Sequence, residues 1–188
     1  MLSKVQQNQV VLVNDSDEEL GVMDKLAAHE EGVLHRAFSV FVFNRRGELL
    51  IHQRALDKYH SGGLWTNTCC SHPGPGERVK NAAQRRLLEE MGFTTPLVKA
   101  FDFVYRAEFG NGLIEHEFDH VFIGHADVDP NPVPEEVADW KYVSRRNLKL
   151  WMEQSPEDFT AWFRLSVDYV YEWLEESEPE KKLTFVRA

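Results

Sequence analysis

Apolar and polar positions alternate in blocks along the chain, and the spacing within each block predicts an element. Val10–Val13 reads as a short strand, turned by Asn14–Asp15–Ser16–Asp17. Asp24 to Glu31 is a short segment with Gly32 ending it. Ala37–Phe43 is an apolar, partly β-branched run. Asn44 to Gly47 supplies a turn and Leu49–Gln53 resumes the strand, so the two form a hairpin. Gly62–Gly63 breaks the chain before Leu64–Cys70. From Val79 to Met91 the period changes: Val79, Ala82, Ala83, Arg86, Leu87 and Glu90 recur at three- and four-residue spacing, and Gly92 is the stop. Strands follow at Ala100–Tyr105, Glu117–His125 and Trp140–Val143, the first two separated by the loop Phe109–Gly110–Asn111–Gly112. The last third is helical in pattern, around Arg146–Met152 and from Pro156 to Glu175, with Trp162, Leu165, Val170 and Trp173 as its apolar stripe.

Strands interrupted by one central helix and followed by C-terminal helices predict a mixed-sheet α/β (α+β) sandwich. The sequence shows no repeat and no linker that would divide 188 residues. Residues 1–188 are therefore expected to form a single domain, with 1–9 and 176–188 as flexible tails. A domain of this size buries roughly 70% of its unfolded-chain surface and needs no disulfide scaffold. The two cysteines, Cys69 and Cys70, are sequence neighbours, which ordinary disulfide geometry strains, so a reducing cytoplasmic setting is expected. The start has no secretory pattern, and no apolar run is long enough to span a membrane. A formal charge of −10 argues against a broad nucleic-acid footprint. An anionic small molecule held by a few local cations is still allowed.

Several residues bear chemistry, and each has a plainer reading beside the functional one. His29, His35 and His72, three of eight histidines, fall among turn or strand-edge segments. Singly they fit surface or hydrogen-bonded histidines; with carboxylates they can hold Zn²⁺, Mn²⁺ or a similar ion. Glu115 and Glu117 are two apart in a strand and share a face, while His116 points the other way. Two such acids either line a solvated edge or invite a cation and a raised pKa. Cys70 is either an inert buried thiol or a proton donor or acceptor; Cys69 faces oppositely. Arg86 and Glu90 share a helix face, as a surface ion pair or as a phosphate-binding arginine beside a metal-binding acid. Arg54 and Lys58 suit a diphosphate, and also occur together by chance in loops.

The stretch from Ser71 to Phe93 resembles the Nudix box. Glu77, Arg85, Leu87, Glu89, Glu90, Gly92 and Phe93 fall at its spacings; Ser71 replaces the opening glycine and Arg86 replaces a glutamate. The second exchange adds a cation where the hydrolases gather metal-binding acids, and so argues against hydrolysis. The segments Leu34–Ser39, Trp65–Pro73 and Glu115–Glu117 then resemble, in order, those of the type 1 isopentenyl-diphosphate delta-isomerases, a likeness running from about Val10 to Leu174.

That resemblance implies a Nudix-type sandwich with added C-terminal helices and a 1,3-allylic proton shift between isopentenyl and dimethylallyl diphosphate. By position it implies a metal site of His29, His35, His72, Glu115 and Glu117 holding Mn²⁺, Zn²⁺ or Mg²⁺. It makes Cys70, Glu117 and Tyr105 catalytic and turns Trp162 toward the hydrocarbon. Lys25, Arg54, Lys58 and Arg86 become diphosphate ligands, and Glu90 helps hold a Mg²⁺ that bridges the substrate diphosphate. No role falls to Cys69. The partner is a small prenyl diphosphate, with neither nucleic acid nor membrane, and the chain is expected to be a monomer. Two competing readings are a Nudix hydrolase, which needs a richer acid cluster near Glu89 and Glu90, and a non-catalytic interaction module, which needs no metal.

Overall fold

The computed structural model describes residues 8–177. Its elements are strands β1 (Gln9–Val13) and β2 (Glu19–Asp24), helix α1 (Lys25–Glu31), and strands β3 (His35–Phe43), β4 (Leu49–Arg54), β5 (Trp65–Thr66) and β6 (Cys69–Ser71). Helix α2 (Val79–Met91), strands β7 (Leu97–Glu108), β8 (Ile114–His125) and β9 (Val137–Val143), and helices α3 (Arg145–Gln154) and α4 (Ala161–Ser177) complete them. A 3₁₀ turn, Pro156–Asp158, joins the last two helices.

β3 organises the sheet. Along one edge it pairs in parallel with β8, from His35↔Glu117 to Phe43↔His125. Its other edge is shared by β1 at His35, β6 at Phe38–Val40 and β4 at Val42–Phe43. The predicted β3–β4 hairpin thus pairs only beside its turn; beyond it the strands part, β6 takes the place next to β3, and β4 pairs with β9 and β5. β7 is bound along β8.

The continuous apolar run in β3 reflects burial on both faces. Phe41 and Phe43, with Leu49 and Ile51 of β4, pack toward α3 and α4; Phe38, Val40 and Val42, with Leu50, pack toward Ala82, Ala83, Leu87 and Met91 of α2. α2 has the predicted bounds. It ends at Gly92, whose φ of 76° and approach to the Asn131 carbonyl leave no room for a side chain.

Some expectations need correction. β2 is absent from the sequence reading because its residues are mostly exposed, so no apolar alternation marks them. β7, β8 and β9 extend beyond their apolar cores, since ladder hydrogen bonds continue through polar residues. Leu165 is exposed; the buried stripe of α4 is Trp162, Phe163, Ser166, Val167, Val170 and Tyr171, and Leu165 lies on its outer side. Gln9 pairs with Asp24, and Glu176 and Ser177 continue α4, so these three belong to elements instead of tails. Asn8 is likewise bonded to Asp24 and to the Lys25 amide, and the rest of both predicted tails lies outside the described residues. None of the helices among the described residues is long and apolar enough to cross a membrane.

Candidate active site

Five donor side chains converge where α1, β6 and β8 meet the start of β3. The ligand atoms of His29, His35, His72, Glu115 and Glu117 all lie within 4.8 Å of one another. His29 sits in the last turn of α1, not in a turn or strand edge; Asp24 caps this helix by accepting from the Leu26 and Ala27 amides. His35 pairs with Glu117 across β3 and β8, so the sheet itself sets them together. Glu115 and Glu117 share the inner face of β8, whereas His116 turns away to the Gly32 carbonyl at 3.0 Å.

The hydrogen bonds orient the histidine rings. Nδ1 of His29 lies 2.6 Å from the Lys25 carbonyl, and Nδ1 of His35 lies 2.8 Å from that of Val33. A carbonyl only accepts, so each Nδ1 carries a proton and each Nε2 is aimed into the cluster. Those Nε2 atoms face Glu115 Oε2 at 3.3 Å and Glu117 Oε1 at 3.7 Å. Both nitrogens and Glu115 Oε2 are buried without a hydrogen bond. Buried polar atoms seldom go unsatisfied. Imidazole nitrogens converging with carboxylates fit a divalent cation of the borderline class.

Burial would raise both carboxyls, but their neighbours drive them apart. The His35 and His72 imidazoles hold Glu117 well below the usual carboxylate range, while burial and the Glu117 charge push Glu115 up. Burial also lowers His72 to about 3, keeping it neutral. Glu117 Oε1 is 2.8 Å from His72 Nε2, and Tyr105 donates to Oε2 at 2.6 Å. Desolvation, then the Glu117 charge, raises the Tyr105 phenol far above its ordinary range.

Tyr105, Glu117 and Glu115 line one cavity together with half-buried Cys70. β6 and β7 flank the β3–β8 pair, so thiol and phenol approach from opposite sides of it. Burial pushes the Cys70 thiol up to about 12, with Arg54 pulling the other way. Cys69 alternates to the α2 layer, fully buried, its Sγ 3.4 Å from Glu90. Neither cysteine is bridged. Trp162 forms another wall, with the Arg54 guanidinium 5.3 Å from its ring centre.

The same cavity is cationic at its other end, where Lys25, Arg54, Lys58 and Arg86 all reach it. Burial, then the Lys58 charge, lowers the Lys25 ammonium. Glu90 lines this end but stands outside the five-donor cluster: it is buried against Arg86, which donates to it at 2.6 and 3.1 Å. The arginine at the position where the Nudix box has an acid therefore pairs with both acids that follow it, Glu89 and buried Glu90.

The geometry can be set beside known proteins. The NUDIX domain family matches residues 33–163. Isopentenyl-diphosphate Delta-isomerase 2 of Aromatoleum aromaticum is 51% identical over 164 residues, 87% of each chain. The isopentenyl-diphosphate Delta-isomerase of Pectobacterium atrosepticum is 52% identical over 158 residues, 84% of this chain and 88% of its own. The chain belongs to the isopentenyl-diphosphate Delta-isomerase family, within the Nudix superfamily. Among solved structures, a Deinococcus radiodurans protein covers 78% of this chain and 89% of its own at TM-score 0.64 and 20% identity. The MutT protein of Methanosarcina mazei covers 77% and 96% at TM-score 0.60 and 20% identity. These two share the fold.

All the site residues expected for an isomerase of this family meet in this one region. Sequence reasoning missed others. Glu136, just before β9, pairs with Lys58 and lies 3.1 Å from Arg86. His60 stacks on Phe109 at 5.0 Å and lies 3.2 Å from Glu115. His60 follows Arg54 and Lys58 in one glycine-bounded segment, a signal that was available; Glu136, in an acidic loop remote in sequence, offers none.

Proposed function

We propose that Cys70 and the Tyr105–Glu117 pair carry out the isomerisation between isopentenyl and dimethylallyl diphosphate from opposite sides of the bound hydrocarbon. The chain is an isomerase by its family: one proton is added at C4, one is removed from C2, and the double bond moves between them. The observation that carries the assignment is the lining of a single cavity by a thiol, a phenol–carboxylate pair, an indole and a cationic end.

Protonating an unactivated alkene creates a tertiary carbocation. Tyr105 or Glu117 delivers the C4 proton, the short bond between them providing a relay. Cys70, as thiolate, takes the proton from C2; the Arg54 charge favours that form against the desolvation that opposes it. Trp162 offers its π face to the cation and excludes the water that would trap it. Arg54, Lys58, Lys25 and Arg86 hold the diphosphate, which must not leave once the product is allylic.

His29, His35, His72, Glu115 and Glu117 would hold Mn²⁺, Zn²⁺ or Mg²⁺, which when bound polarises Glu117 and stabilises negative charge there. Glu90 is proposed to assist a Mg²⁺ that arrives with the diphosphate. Arg86, by occupying Glu90, disfavours a multi-metal hydrolytic site. Two unbridged cysteines suit a reducing cytoplasm, and a monomer suffices for a site built from one chain.

Proton NMR of isopentenyl diphosphate in D₂O, with protein and Mg²⁺, tests the assignment. Dimethylallyl methyl signals that grow with deuterium incorporation, and are lost in Cys70→Ala, are the expected result. Unchanged substrate at full metal loading would sink it, and released pyrophosphate would indicate hydrolysis instead.

A further inference from the structure

We propose that Asn67 is a positioning residue for the proton shift, holding the Trp162 ring in register with the peptide that carries Cys70. The inference rests on the roles given above to Trp162 and Cys70. Asn67 itself is fully buried between β5 and β6 and does not line the cavity.

Its carboxamide uses its full hydrogen-bonding capacity. Nδ2 donates to the carbonyls of Cys69 at 2.7 Å and Val40 at 3.2 Å. Oδ1 accepts from the Thr66 hydroxyl at 2.8 Å and from the Trp162 indole N–H at 3.2 Å. Carbonyls only accept and an indole N–H only donates, so these partners also fix which way the amide faces. The Cys69 carbonyl shares a planar peptide unit with the Cys70 amide. One rigid group thus references both the backbone of the base and the edge of the indole. Thr66 lies 2.9 Å from Thr160, just before α4, which ties the start of the Trp162 helix into the same buried network.

The chemical consequence lies in the indole's anisotropy. An aromatic ring is negative on its face and positive at its edge, so a tilt toward the edge turns attraction for a carbocation into repulsion. The Asn67 bond, made at Nε1, opposes that rotation. Diphosphate binding is handled by Lys25, Arg54, Lys58 and Arg86, none of which bonds to Asn67. Loosening Asn67 should therefore slow the chemical step and spare substrate capture.

A double-mutant cycle of Asn67→Ser and Trp162→Phe tests this, with kcat and KM from the NMR assay and inorganic pyrophosphate affinity, with Mg²⁺, from calorimetry. Each single variant is expected to lose about tenfold in kcat, with KM and pyrophosphate affinity nearly unchanged. The double variant should be no slower than Trp162→Phe alone. Losses that multiply, an unchanged kcat in Asn67→Ser, or a parallel fall in pyrophosphate affinity would each overturn the inference. Full activity in Trp162→Phe would instead overturn the role of Trp162. Should Asn67→Ser not fold, exchange of the Trp162 indole proton in the wild-type protein decides: slow exchange is expected, and exchange at the rate of an exposed indole overturns the bond.

Discussion

Tyr105 donates a 2.6 Å hydrogen bond to one oxygen of Glu117, while the other oxygen faces His72 at 2.8 Å. The carboxylate is thereby split into a side that meets the donor cluster and a side that meets the cavity. Removing the phenolic hydroxyl in Tyr105→Phe keeps the ring stacked on Phe103 and deletes only the relay. The expected outcome is a fall in kcat of about 10²–10⁴-fold, with KM little changed, read from deuterium incorporation at the methyl derived from C4.

The adjacent cysteines should separate chemistry from stability. Cys70→Ser should abolish turnover with little change in thermal unfolding, since Cys70 is half-buried at the cavity. Cys69→Ala removes the thiol donor that faces buried Glu90 and should cost about 1–3 kcal/mol while leaving kcat close to wild type. Calorimetry and the NMR assay together check the pair.

Arg86 both reaches the cavity and neutralises buried Glu90. Arg86→Met should raise KM for isopentenyl diphosphate by roughly 10–100-fold, the value of a charge-assisted hydrogen bond. It should also destabilise the fold by about 3–5 kcal/mol through the uncompensated acid. A variant with raised KM and unaltered Tm would contradict the second half.

Stripping metal with a chelator should lower Tm, because three buried donor atoms then lack a partner. Restoring it at about 100 times its Kd should return about 2.7 kcal/mol. Protons compete for the same imidazoles, so metal content after dialysis should fall as pH drops through the histidine range. Metal analysis and calorimetry across that range provide the check.

His52 supplies a separate pH effect. Buried beside Arg54, its folded pKa lies at about 4 against 6.5 for the free side chain. The native state therefore disfavours its charged form: the stability is intact above 6.5 and is lost as pH falls toward 4. At about 1.4 kcal/mol per unit, the loss is on the order of 3 kcal/mol. His52→Gln should flatten the fall of Tm with acidity over that window.

The local pattern was enough for α2, the apolar strand β3, the turn at Asn44–Gly47 and the same-face placement of Glu115 and Glu117. Each depends on chain geometry that repeats within a few residues. The ordered motifs were likewise sufficient to indicate the family. The convergence of His29, His35 and His72 on those acids depends on the parallel β3–β8 register and on α1, whose helical setting for His29 no periodicity announced. The same holds for Glu136 against Lys58 and for Asn67 against Trp162, separated by 78 and 95 positions in the chain. Such contacts are selected by how layers pack and how buried polar groups find partners, and those energies exist only once the chain has closed on itself.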